Sequence, residues 1–142
     1  MKTAVMEGMG YFMGGYDNAG SPTNKVYRVC IRTLISHITS KASSGTDREI
    51  WKEIPGLQLT YSTPLSISGS LLAVGGRDKD DKAVTAIHLY QPDTGEMVKV
   101  GDLPTPRSYC TCARIIDREV AVVGGWDADS ERMSRMDIAL LS

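Results

Sequence analysis

Leu71-Leu72-Ala73-Val74-Gly75-Gly76-Arg77-Asp78 is the stretch from which the rest of this chain is read. An apolar run, two glycines, one variable residue and an aspartate follow one another in that order. The order returns in Phe12-Met13-Gly14-Gly15-Tyr16-Asp17 and in Val122-Val123-Gly124-Gly125-Trp126-Asp127. One such match in a chain with 14 glycines carries no weight, but three copies, each directly after an apolar run, are an internal repeat.

Counting from the glycines aligns the remainder of each copy. Six residues before the first glycine stand Gly8, Gly69 and Arg118, preceded by Glu7, Ser68 and Asp117. Glu-Gly and Ser-Gly suit tight hairpin turns that need positive φ, and Asp-Arg is a weaker version of the same turn. Extended segments lead into these turns: Lys2 to Met6, Thr63 to Ile67, and Tyr109 to Ile116. Each glycine pair therefore ends the second strand of a hairpin. After a polar loop, alternation resumes at Tyr27, Val29 and Ile31, at Ile87 and Leu89, and at Met136, Ile138 and Leu140, the mark of a strand with one covered face. Ile87 and Met136 stand eleven residues after their second glycine and Tyr27 stands at twelve, which implies one extra loop residue in the first copy.

A fourth strand follows in two copies, Ile50 to Ile54 and Glu96 to Val100, with Trp51 and Met97 as equivalent inward-packing residues. Proline-bearing links, Pro55-Gly56 and Asp102 to Arg107, lead into the next copy. A fourth strand for the third copy would fall past Ser142. The glycine pairs are 61 and 49 residues apart, and the excess is a Ser/Thr-rich insertion near residues 34–48. Ser36 to Asp47 reads as a mobile loop between strands three and four, and a short helix around Leu34 to His37 is also open to it.

A chain of 142 residues with 42% hydrophobic content makes one domain with a real core. A formal charge of -1 points to neither nucleic acid nor an anionic membrane surface. The start, Met1 to Met6, is interrupted by Glu7 and Gly8 before a secretory apolar region develops, and no run approaches the roughly 20 residues of a membrane span. A cytoplasmic protein is expected. Cys30, Cys110 and Cys112 are an odd count without paired zinc spacings and read as buried free thiols.

Four antiparallel strands repeated at about 50 residues, with an apolar strand ending in Gly-Gly, resemble the kelch repeat of β-propellers. The second copy carries the resemblance best: Gly75-Gly76, Tyr90 fourteen residues on, position 97 seven further, then Pro104 to Arg107. Kelch repeats usually hold tryptophan where this chain has Met97, and by the same count the equivalents of Tyr90 are Cys30 and Ala139. The resemblance implies an all-β fold of four-stranded antiparallel blades, about 2.75 of them, divided as 1–56, 57–104 and 105–142. A propeller closes with about four to eight blades, so the expectation is a fragment of a longer protein or a chain completed by self-association.

The loops between strands two and three should emerge at the same end as the links between blades. The residues after the glycine pairs, Tyr16, Arg77 and Trp126, are of the types most enriched at interface hot spots. With Arg107 they form the candidate partner-binding set, against the alternative that they pack on the neighbouring blade. Asp17, Asp78 and Asp127 recur too regularly to be ligand-specific and read as turn caps. With Gly14, Gly15, Gly75, Gly76, Gly124, Gly125 and Trp51 they make up the structural repeat. The acidic loops fail the EF-hand pattern, having Ala83 or Arg132 where glycine is needed. Gly8-Met9-Gly10 with Gly14 misses the dinucleotide spacing, and His88 reads as structural. No catalytic set, cofactor or metal is expected. The function implied is a non-catalytic protein-interaction module that presents a loop face to a protein or peptide. The alternative is part of a propeller enzyme of the galactose oxidase or sugar-acid epimerase type.

Overall fold

The three glycine pairs end three matching strands. The computed structural model describes residues 1–40 and 50–141, and the described residues form eleven strands in three antiparallel sheets. The first sheet runs β1 (Lys2–Met6), β2 (Met9–Met13), β3 (Val26–Cys30), β4 (Trp51–Ile54) in spatial order. The second runs β5 (Thr63–Ile67), β6 (Ser70–Val74), β7 (Ala86–Tyr90), β8 (Met97–Asp102), and the third holds β9 (Thr111–Ile116), β10 (Glu119–Val123) and β11 (Met136–Leu140). β1 adjoins β5 and β5 adjoins β9, so the first strands of the sheets lie innermost and the sheets follow one another in chain order without closing. This is an incomplete, propeller-like all-β arrangement.

Turn chemistry is as the sequence dictates in two hairpins. Glu7 and Gly8 (φ 51° and 76°) and Ser68 and Gly69 (φ 49° and 75°) are both left-handed, the geometry whose twist matches paired strands. In the third, Asp117 alone is left-handed (φ 43°), and the ladder slips between Glu119 and Val120.

The registers correct one count. Met13 pairs with Val26, Val74 with Ile87, and Val123 with Met136. Val26 stands eleven residues after Gly15, so all three copies are in phase and no extra loop residue exists. The equivalent of Tyr90 in the first copy is therefore Val29, which pairs with Trp51 as Tyr90 pairs with Met97.

Each sheet has a leading face toward the next sheet and a trailing face toward the previous one. Met13, Val26 and Ile54 on the first leading face pack with Leu71, Ala73 and Tyr90 on the second trailing face. Leu72, Val74 and Ile87 on the second leading face pack with Val120, Val122 and Ala139 on the third trailing face, with Cys110 buried and Cys112 half-buried beside them. Burial pushes the Cys112 thiol up to about 12, and Cys110 beside it acts in the same direction. The three cysteines are free. Each fully buried aliphatic side chain at these junctions contributes roughly 1.5–3 kcal/mol, so the sheets are held by two apolar seams.

Trp51 departs from its expected inward packing. Its position is on the trailing face of the first sheet, which no preceding sheet covers, and it is 37% exposed, edge-on to Phe12 with ring centroids 4.8 Å apart. The insertion departs too. Ile31–Thr39 form helix α1, longer than the Leu34 to His37 turn and starting where the strand alternation was extended to Ile31. Its spacing Ile31, Leu34, Ile35, Ile38 is a helical apolar stripe. The rest of the expected loop, residues 41–49, lies outside the described residues. Among the described residues no helix is long and apolar enough to cross a membrane.

Candidate functional site at the loop end

After each glycine pair the chain makes the same small closed loop. Asp17 Oδ1 accepts the backbone N–H of Ala19 and Ser21 at 2.9 and 2.8 Å; Asp78 accepts Asp80 and Lys82 at 2.9 and 3.0 Å; Asp127 accepts Asp129 and Glu131, both at 2.9 Å. In each loop the aspartate N–H also donates to the carbonyl four residues on. Asp17, Asp78 and Asp127 thus fasten turns, as the regularity of the repeat implied. The backbone bonds hold the Asp78 carboxyl below its ordinary range, the Lys82 N–H contributing most.

The residues between glycine and aspartate diverge. Arg77 is 7% exposed and turned toward the third sheet: Nε donates to Ser108 Oγ at 3.1 Å, Nη1 to the Asp81 carbonyl at 2.8 Å, and Nη2 to Ser130 Oγ at 2.9 Å. Its backbone exchanges two hydrogen bonds with Thr60 of the incoming link, and Trp126 does the same with Ser108. The Trp126 ring is half-buried, with the Arg132 guanidinium 5.6 Å from its centroid. Tyr16 is 60% exposed.

Arg107, placed with these residues as a partner contact, is 0% exposed. Its Nη1 donates to the carbonyls of Gly124 and Arg135 at 2.8 and 2.9 Å, and Nη2 pairs with Asp137. Burial pushes the Asp137 carboxyl up, but bonds from Arg107 and Arg135 outweigh it and hold the group below its ordinary range. An arginine enclosed in this way pins the third sheet's glycine pair to the link; Arg107 is an internal contact rather than the expected surface one, and so is Arg77.

Two residues that sequence reasoning passed over complete the site. Tyr61 and Tyr109 end the two links, and their rings stack with centroids 4.1 Å apart; Tyr16 leans on them, 6.0 Å from the Tyr61 centroid, with its hydroxyl hydrogen-bonded to that of Tyr109. Tyr109 N–H donates to the Tyr61 carbonyl at 3.1 Å. Both have left-handed backbones (φ 55° and 56°), a conformation that costs an aromatic residue about 1 kcal/mol or more and is kept only where the surroundings impose it. Burial raises the Tyr61 and Tyr109 phenols, whereas the bond from Tyr109 lowers that of Tyr16. Beneath the rings is a cavity of about 100 Å³ bordered by Lys2, Met13 and Ser62. The Lys2 ammonium reaches Thr63 Oγ1 at 3.2 Å and the Cys110 carbonyl, and burial lowers its pKa. The signal for the pair was present: Thr60-Tyr61-Ser62-Thr63 and Ser108-Tyr109-Cys110-Thr111 are 48 residues apart and share Tyr-x-Thr.

Neither a family model nor a curated protein matches this chain.

Among the described residues, no three or more His, Cys, Asp or Glu side chains gather where they could hold a metal ion. The loop end brings together aromatic rings from the loop after β2 and from both links, Tyr16, Tyr61 and Tyr109.

Proposed function

We propose that this chain is a kelch-type, non-catalytic protein-interaction module that binds a protein or peptide partner through its loop end in a cytoplasmic setting. The observation that carries this reading is the tyrosine trio. Three rings from separate parts of the chain converge on one point, two of them in strained backbone conformations and the third 60% exposed. Tyrosine supplies a large, rigid contact area at low entropy cost, and clusters of such residues anchor interfaces. Free thiols accord with a reducing compartment.

The contact set proposed is Tyr16, Tyr61, Tyr109 and Trp126, with Arg77 and Arg107 supporting from within. The test is a comparison of partner capture and thermal unfolding for Tyr16→Ala, Trp126→Ala and Glu96→Gln, the last being an exposed site in the turn between β7 and β8. Tyr16→Ala should weaken capture by about 2 kcal/mol or more, the hot-spot range, while leaving Tm within about 2 °C. Capture that survives Tyr16→Ala and Trp126→Ala with the same affinity as Glu96→Gln sinks the reading.

A further inference from the structure

The leading face of the third sheet is apolar and open. Val123, Met136, Ile138 and Leu140 are 46, 61, 52 and 67% exposed. Val123 and Met136 pair at the position held by Met13 and Val26 in the first sheet and by Val74 and Ile87 in the second, and those four side chains are exposed by 1% or less. The residue class is unchanged between sheets and the burial is reversed, because each of the first two leading faces meets a trailing face and the third meets no other described sheet.

One trailing face is open in part as well, on the first sheet. Val5 is 60% and Trp51 37% exposed there, at positions where the second sheet has Ser66 and Met97, and Phe12 stands with them. The start of α1 covers the middle of this face, where Val29 is 1% exposed. Ile31 lies over Gly10, where a Cβ would meet its Cδ1 at 3.1 Å, and Ile35 lines a cavity with Met9 and Cys30 at the end of the sheet. The molecule therefore carries one open leading face and one trailing face that is open at Val5 and Trp51, and the junction between the two kinds is already formed twice within it.

We propose that a second copy of this chain fills both: the third sheet of each copy packs on the first sheet of the other, and the two copies close head to tail into one ring of six sheets. The contact would continue the two internal seams, leading face on trailing face, and a heterologous contact that returns on itself after two copies gives a closed pair rather than a filament. Six sheets lie within the range at which propellers close. Exposed apolar side chains on both faces supply the driving force.

Sedimentation equilibrium on the full 142-residue chain tests this, with Ile138→Asp and Trp51→Asp as variants at exposed positions and circular dichroism to check that each still folds. The wild type should have twice the chain mass at concentrations up to about 100 μM, where an interface of micromolar Kd is largely occupied. Each variant alone should associate at least about a hundredfold more weakly, as expected for a charge placed at an interface centre. An equimolar mixture of the two variants should regain part of the dimer, because it can form one junction free of both substitutions. A strictly monomeric wild type overturns the proposal. So does a Trp51→Asp chain that still pairs as well as wild type, which would mean like faces meeting, and so does open-ended growth.

Discussion

Asp78 uses one oxygen to accept two backbone N–H groups, and the same pair of bonds is made by Asp17 and Asp127. The sign of its pH effect follows. Its folded pKa is depressed, so its stabilising contribution is present above the ordinary carboxylate range near 3.9 and is lost as pH falls through the folded value. Asp78→Asn keeps an acceptor and should flatten the acid limb of a Tm-against-pH curve, whereas Asp78→Ala should lower Tm at every pH. Tyr90 contributes to the alkaline limb together with Cys112, Tyr61 and Tyr109, whose pKa values burial also raises. Burial pushes the Tyr90 phenol to about 12, and its hydroxyl donates to the Pro55 carbonyl, so its contribution is whole below pH 10 and is lost as pH rises toward 12. Tyr90→Phe should remove part of that alkaline loss, read by thermal melts between pH 9 and about 12. Arg107 is the residue whose truncation should cost most. Arg107→Met leaves the Gly124 and Arg135 carbonyls and the Asp137 carboxylate without their buried partner, a loss of about 3 kcal/mol or more, measurable by urea unfolding. A variant as stable as wild type would return Arg107 to the surface set.

At the scale of elements, the repeat was legible because Gly-Gly-x-Asp has a mechanical role in every copy. At Gly76 φ is 115°, and a Cβ would stand 2.5 Å from Ser62 Oγ and 2.7 Å from the Thr60 carbonyl oxygen. At Gly124 φ is 66°, and the nearest atom to a Cβ is the Met133 carbonyl oxygen at 3.5 Å. Both positions disfavour alanine on backbone grounds, but only Gly76 also forbids it by volume. Gly124→Ala should cost about 1 kcal/mol and Gly76→Ala about 3 kcal/mol or more, since the link carrying Thr60 must move. Equal urea midpoints for the two variants would contradict that assignment. What the sequence hid is equally physical. Tyr27, Val29 and Ile31 alternate as a strand should, but Ile31 belongs to α1, whose Cys30 N-cap makes no side-chain cap bond and whose residues are largely β-branched. A helix without its usual start signal and with low intrinsic propensity is overridden by strand alternation in any local reading. Choosing Tyr27 rather than Val26 as the first strand residue then shifted the phase by one, which flips every side chain to the other face and put Cys30 where Val29 stands. Tyr61 and Tyr109 were hidden for another reason: they lie in links, where no periodicity marks them, and only the repeated Tyr-x-Thr would have drawn them out.

The whole molecule is a row of three sheets in which each contacts its neighbours, so stability is distributed along the row rather than gathered in one centre. The second sheet has both faces covered, by the first sheet on one side and the third on the other. The first sheet has one face open in part and the third has one face open, with Trp51 and Val5 exposed on the former and Ile138 and Leu140 on the latter. Opening an end sheet breaks one apolar seam, whereas opening the middle one breaks two. Amide exchange should therefore be slowest at Leu72, Ala73, Ile87 and Leu89, reporting global unfolding, and faster in β11, whose outer edge pairs with no other described strand. If two copies close head to tail, the difference becomes concentration-dependent. Raising the chain concentration through the association midpoint should slow exchange in β2, β10 and β11 while leaving β6 and β7 almost unchanged, because mass action stabilises only the sheets whose open faces are filled. Exchange in β11 that stays equally fast at both concentrations would show that these faces remain open in solution, and uniform protection across all three sheets would show that the row unfolds as one cooperative unit.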